Sequence, residues 1–269
     1  MYATLSGKTA PRRFAIKSLA GLALVIAIVC IVNVTLPAQE RQGGQRQGGQ
    51  PQGRGGEAAR ASTLPLFLDA KFVRPPSQTA QTKVVQENIG DPNVELKQYG
   101  LHESCLLTSG NPGSETTPFS VWSGECEQPF ATLFRHKTNY VDLTGGAKIR
   151  WTVKTSGLHV ARPVVKLADG TMLVGETAVA SIPMLMQSEV PVGAIRWIKL
   201  DPKRLVTMGL QNAPFNEIWV PNVDLSKVDE VGFVDLMPGS GHGTGGYIHI
   251  SQFQVYGRAV PRAPATASR

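Results

Sequence analysis

Little in this sequence announces catalysis. It holds no G-x-S-x-G elbow and no H-E-x-x-H pair, which removes the simplest routes to a serine hydrolase or a zinc peptidase. Histidine is sparse: His102, His136, His159, His242 and His249 show no paired ligand spacing, and the cysteines form no C-x-x-C, so no transition-metal cluster is written in the chain. A structural calcium held by carboxylates and backbone carbonyls leaves no comparable mark and stays open. Long stretches of 3.6-residue periodicity are also missing, which argues against a helical domain.

Acidic residues are absent from residues 1–38, where Lys8, Arg12, Arg13 and Lys17 stand unopposed. The overall charge of +7 is therefore misleading: these four, and a surplus of two in residues 39–61 (four Arg against Glu40 and Glu57), leave about +1 for the rest. That is too little for the broad basic footprint of a nucleic-acid binder, so no nucleic-acid partner is expected.

The basic start runs into an apolar stretch, Leu19 to Val32, followed by Leu-Pro-Ala-Gln at 36–39. This is the plan of a secretory signal. Fourteen residues suit a signal core, whereas extension through Leu36 gives a segment, residues 19–36, that approaches the ~20 residues of a membrane span. Residues 1–38 therefore read as a cleaved signal peptide or a retained membrane anchor; in either case the domain is delivered outside the cytoplasm, to the periplasm, the extracellular space or the outer side of a membrane. Arg12-Arg13-Phe14 resembles a twin-arginine signal with Phe one position early, so the general secretory route is favoured while the twin-arginine route stays open.

Residues 39–61 contain a near-repeat of RQGGQ and almost nothing able to bury apolar area, which makes them a disordered Gly/Gln/Arg tether with a reach of roughly 25 Å. Cysteine is limited to three residues, and Cys30 lies in the apolar run. Cys105 and Cys126 are then the pair available to the folded region; export favours a disulfide between them, and two buried thiols are the alternative.

From 62 to 258 the chain alternates short apolar runs with Gly, Pro, Asn and Asp, the pattern of an all-β antiparallel sandwich. Strands are expected in 64–73, 93–100, 119–126, 130–137, 148–157, 162–176 (a hairpin around Asp169-Gly170), 194–201, 228–237 and 247–257. In 148–157, Ile149, Trp151 and Val153 share a buried face, and Lys148, Arg150, Thr152 and Lys154 a wet one. The last strand breaks alternation between Ile250 and Phe253, which predicts a β-bulge near Ser251 and Gln252. Residues 206–221 read as a short helical turn or a surface loop, and 259–269 as a disordered tail.

The segments 142–176 and 223–257, with the step DLSKVDEVGF (224–233) and the terminal F-x-V-Y-G strand, resemble galactose-binding-like jelly rolls of exported bacterial proteins. The resemblance covers roughly 64 to 257. It implies two antiparallel sheets in jelly-roll order and, as in many carbohydrate-binding modules of this kind, carbohydrate bound by loops or a concave face. Gln252 and Gln254 beside Phe253 match no sugar-binding signature, so architecture transfers and ligand contacts do not.

Sugar recognition calls for an aromatic plane against the apolar face of a pyranose and for side chains that hold hydroxyls. Trp151 and Trp197 sit in alternating patterns and are assigned to the core. The ligand-binding candidates are Trp122, Arg135, His159, Arg162, Trp219 and His242, the last inside the Gly-rich loop 238–246. That loop leads into a strand rather than a helix, so it is read as a connection and not a phosphate cradle. Glu176 and Asp235 are nominated as carboxylates for a glycosidase, the least favoured reading. The leading expectation is an exported, non-catalytic carbohydrate-binding domain; the alternative is a membrane-tethered scaffold that holds a protein partner in the envelope.

Overall fold

A computed structural model describes residues 64–101, 105–208, 218–240 and 245–263. The N-terminal segment, the tether, His242 and residues 264–269 lie outside the described residues. Fourteen strands follow in order: β1 Leu66–Lys71, β2 Val94–Tyr99, β3 Leu107–Ser109, β4 Ser120–Trp122, β5 Phe130–His136, β6 Asn139–Asp142, β7 Lys148–Gly157, β8 Arg162–Leu167, β9 Met172–Gly175, β10 Met186–Pro191, β11 Trp197–Lys199, β12 Val228–Asp235, β13 Gly246–Tyr256 and β14 Arg258–Pro261. Every named strand pair is antiparallel, and the strands form two sheets.

The six-stranded sheet runs β10-β7-β13-β4-β3, with β1 also on β13. The eight-stranded sheet runs β11-β9-β8-β12-β5-β2, with β6 on β12 and β14 on β6. Their facing sides supply the core. Strict alternation in β7 sends Ile149, Trp151 and Val153 inward. There Trp151 meets Phe253 at 5.9 Å between ring centroids, and Phe253 meets Phe134 and Phe233 of the other sheet at 5.3 and 6.2 Å. Aromatic pairs at such spacings add to the area they bury, so this quartet ties the two sheets across the core.

The expected bulge is present. Opposite Val153 and Thr152 of β7, the register of β13 jumps from Ile250 to Gln252 and leaves Ser251 as the extra residue. The β8–β9 hairpin forms as read: Gly170 takes φ +89°, and Asp169 accepts the Thr171 amide at 2.8 Å. In the step at 224–233 Leu225 is buried, held by its carbonyl accepting from Leu143 N at 2.9 Å.

Four strands lie outside the expected set. β3 and β6 are short and polar, and β10 is a sheet edge carrying Glu189 and ending in Pro191, a composition that suits an edge and hides it from a search for alternation. β14 falls beyond the boundary expected at 258. It pairs along β6, and Arg262 beyond it is held by a bond from its amide to Thr138 O, by ion pairing to Asp229 and by stacking on Tyr140. The sandwich therefore runs through at least Arg262, which corrects the reading of 259–262 as tail.

The outward side of the eight-stranded sheet carries a second apolar cluster, with Leu133, Val164, Val174 and Val234 covered by Leu200 and Leu205. The cover is a return of the chain after β11: Asp201 bonds the amides of Lys203 and Arg204, and Met208 N reaches back to Lys199 O at 2.8 Å.

Candidate functional site

Of the six ligand-binding candidates, His242 lies outside the described residues, Trp122, Arg135 and His159 stand apart from one another, and Arg162 and Trp219 share a hollow. Trp122 is 7% exposed and packs against Tyr247 and His249. The chain after β4 lies on its indole so closely that a Cβ on Gly124 would come within 1.7 Å of it. The Cys105–Cys126 disulfide closes this region, with Cα atoms 5.1 Å apart. Trp122, a binding candidate by residue type, is thus covered by the chain that follows it.

Arg135 stays at the surface of β5, where it bridges Asp229 at 3.0 Å and Glu95 at 3.1 Å. Burial opposes its charge, but the bonds to Asp229 and Glu95 outweigh burial and raise its pKa. Its row of the ladder, Arg135–Glu230–Lys166, is four residues along β8 from Arg162, a distance on the order of 13 Å. The two arginines serve different ends of the sheet.

His159 is 1% exposed and sits in contact with Asp235, which is 0% exposed, through Nδ1 and Oδ2 at 2.6 Å. Burial raises the Asp235 pKa, against the pull of His159 and the Met237 amide. Ser240 Oγ also approaches His159 Nδ1, at 3.4 Å. A serine, a histidine and an aspartate therefore meet, but both partners address the same ring nitrogen, whereas a nucleophilic triad places them on opposite nitrogens. The group is a buried lock between the β7–β8 connection and the end of β12. His159 is not on a binding surface, and the carboxylate nominated at Asp235 is enclosed.

Arg162 and Trp219, in contrast, come together. Both border a hollow of about 340 Å³ whose wall includes Glu176, Val174, Ile198 and Leu236. Trp219 also borders a neighbouring hollow of about 450 Å³ lined by Thr144, Val192, Arg196 and Asn222. The local fold explains the placement. Trp219 forms a single β-bridge to Ile198, and Val220 N donates to Trp197 O at 2.9 Å, so the tryptophan is fixed as an outermost strand residue beside β11.

Arg196 then lies over the indole, its guanidinium carbon 4.1 Å from the ring centroid. The same guanidinium grips Glu176, with Nε 2.8 Å from each carboxylate oxygen and Nη2 in contact with Oε2. Glu176 and Arg196 are cross-strand neighbours because Glu176 N donates to Arg196 O as the β9–β11 ladder continues. Gly175 is required there, since a Cβ would press on Ile195 and Pro163 at 2.7 and 2.8 Å. The bond from Arg196 lowers the Glu176 pKa and that from Glu176 raises the Arg196 pKa, so both stay charged at neutral pH. Arg162 completes the group by donating to the Glu176 carbonyl.

The arrangement offers an aromatic edge, an Arg–carboxylate fork and a second guanidinium around an apolar floor, a combination suited to a ligand with one apolar face and several hydroxyls. Arg196 was not among the expected residues. Its signal was present in AIRWIKLD, where it alternates with the core residue Trp197, but its partners come from residues 176 and 219. Among the described residues, no group of three or more His, Cys, Asp or Glu is placed to hold a metal ion.

No family profile matches the sequence and no curated protein is similar to it. Among solved structures, the chain is similar to the family 11 carbohydrate-binding module of a cellulosomal cellulase of Clostridium thermocellum. The identity is 12% over 68% of this chain and 97% of that one, with a TM-score of 0.37. The Clostridium thermocellum module in complex with a β-1,3-1,4-mixed-linked tetrasaccharide gives 13% identity over 68% and 98% of the two chains, with a TM-score of 0.36. An exo-β-agarase gives 10% over 70% of this chain and 26% of that one, with a TM-score of 0.33.

Proposed function

We propose that this protein is an exported, non-catalytic carbohydrate-binding domain of galactose-binding-like jelly-roll type, and that it takes its ligand at the Trp219 edge. The observation that carries the reading is the Arg196 guanidinium stacked on Trp219 and clamped by Glu176, with hollows on both sides. Side chains held in this way lose little freedom on binding, which is what lets a shallow surface retain a sugar. Export is supported by the basic and apolar start of the chain and by the Cys105–Cys126 bridge, a bond that persists in oxidising compartments.

The test is retention of the full chain on a glycan array and on insoluble polysaccharides, beside Trp219→Ala and Arg196→Ala. Binding that falls at least tenfold in Trp219→Ala, about 1.4 kcal/mol, is expected. Absence of retention on every glycan, or retention by both variants equal to that of the unmodified chain, refutes the proposal.

A further inference from the structure

One edge of β13 is shared by two strands. β4 takes His249 and Ile250, β1 takes Gln252 through Tyr256, and the hand-over falls at the bulged Ser251. From there the two chains part. The chain leaving β1 bridges to Ile89 through Phe72, and the chain entering β4 arrives through Pro118 and Phe119. A sheet cannot close where two neighbours diverge, and a hollow of about 560 Å³ opens there, bordered by Lys71, Arg74, Ser114, Phe119, Ser251 and Gln252. It shares no residue with the hollows beside Trp219.

Its chemistry is cationic. Lys71 and Arg74 border it, and among the described residues no acidic one does. Asp69, two residues before Lys71, is taken up by the amides of Gln252 and Gln254 at 3.0 Å. Arg74 is set in place: its guanidinium carbon stands 5.2 Å from the Phe119 ring centroid, and Nη2 donates to Gly110 O at 2.7 Å. The wall that holds it is itself bonded, with Asn111 N on Thr117 O and Thr117 N on Ser114 Oγ. Within this guanidinium, Nε is buried and meets no acceptor among the described residues. A guanidinium partly withdrawn from water with one donor unpaired carries an uncompensated positive charge, and a negative charge in the adjoining hollow offsets it.

We propose that this hollow is a second ligand site that takes an oxyanion, carboxylate or sulfate, carried on a sugar-sized molecule. Arg74 provides a positive charge held in place, the exposed Lys71 a second charge that is free to reorient, and Ser114, Ser251 and the carbonyl end of Gln252 polar groups for neighbouring hydroxyls. The volume falls in the range of small-molecule sites.

The experiment is calorimetric titration of the full chain with three trisaccharides: a galacturonate, a sulfated galactoside and the neutral galactoside. At least one anionic form should bind about tenfold or more tightly than the neutral one, the scale of one charge-assisted bond, and which form gains separates carboxylate from sulfate. Lys71→Gln and Arg74→Gln should each remove most of that gain, whereas Trp219→Ala should leave it unchanged. Melting temperatures identify any variant that loses its fold, and the exposed Lys71 keeps the test decisive if Arg74→Gln does. Equal binding of all three sugars, an undiminished gain in folded Lys71→Gln, or loss of the gain in Trp219→Ala overturns the proposal.

Discussion

The outward faces of the two sheets are made of opposite materials. On the six-stranded sheet a polar strip crosses four strands: Glu189 receives Lys148 and Arg150, Arg150 donates to Tyr256 Oη at 2.7 Å, and Asp69 accepts from Gln252 and Gln254. On the eight-stranded sheet the corresponding positions include Leu133, Val164, Val174 and Val234, buried beneath Leu200 and Leu205. A polar face can satisfy itself and stay wet. An apolar face must be covered, and the chain that returns to cover it is continuous with the edge on which Trp219 stands. The apolar face therefore needs a roof, and the polar face needs none.

Paired substitutions break this contrast most directly. Leu133, fully buried under the roof, should cost about 2–5 kcal/mol when replaced by alanine, measured by urea denaturation. Arg150→Ala on the wet strip should cost about 1 kcal/mol or less in the same assay, because its partners remain solvated. Similar losses for the two would mean that the roof is not a packed layer.

Acidity sharpens the comparison from the other side. His249, beside Trp122 on the polar sheet, is pushed down to about 4, first by burial and then by Lys154. With the folded pKa below the unfolded value, the unfolded chain binds the proton first, so stability is intact above about 6.5 and falls as the pH drops toward 4, by at most about 3 kcal/mol. His249→Gln should flatten that part of the pH–stability curve; an unchanged slope would show that the ring is open to water.

A smaller effect is expected where the apolar face meets its polar end. Tyr99 Oη donates to the buried Glu230 at 2.8 Å, and Lys166 Nζ donates to both. Burial and these bonds oppose each other at Lys166, and the bonds to Tyr99 and Glu230 prevail and raise its pKa. Tyr99→Phe removes one donor while Lys166 still serves Glu230, so a loss of about 1 kcal/mol is expected in chemical denaturation. A loss several times larger would indicate that Tyr99 holds the lysine in place.

Much of the sandwich was legible because its central strands obey a period of two. β7 begins and ends where the alternation does, and the bulge at Ser251 was visible as two polar residues between Ile250 and Phe253. The edges were not legible: β6, β10 and β14 carry Asn, Glu, Asp and Pro, residues that equally describe loops. At the candidate site, Trp219 and Arg162 were singled out as residue types, but nothing in their neighbourhoods says that they share a hollow. Trp122 misled because its cover depends on the missing Cβ of Gly124, and His159 because its partner lies 76 residues away.

The sequence alone determined the central strands and their dry faces, and that two cysteines were available for a bridge, since period, turn chemistry and composition are local properties. Only the tertiary structure decided that Arg196 lies on Trp219 while gripping Glu176, that His159 is sealed against Asp235, and that a cationic hollow opens where β1 and β4 part. Each of these depends on chain segments far apart in sequence meeting across a ladder or a core, and no local pattern encodes which distant segment will arrive.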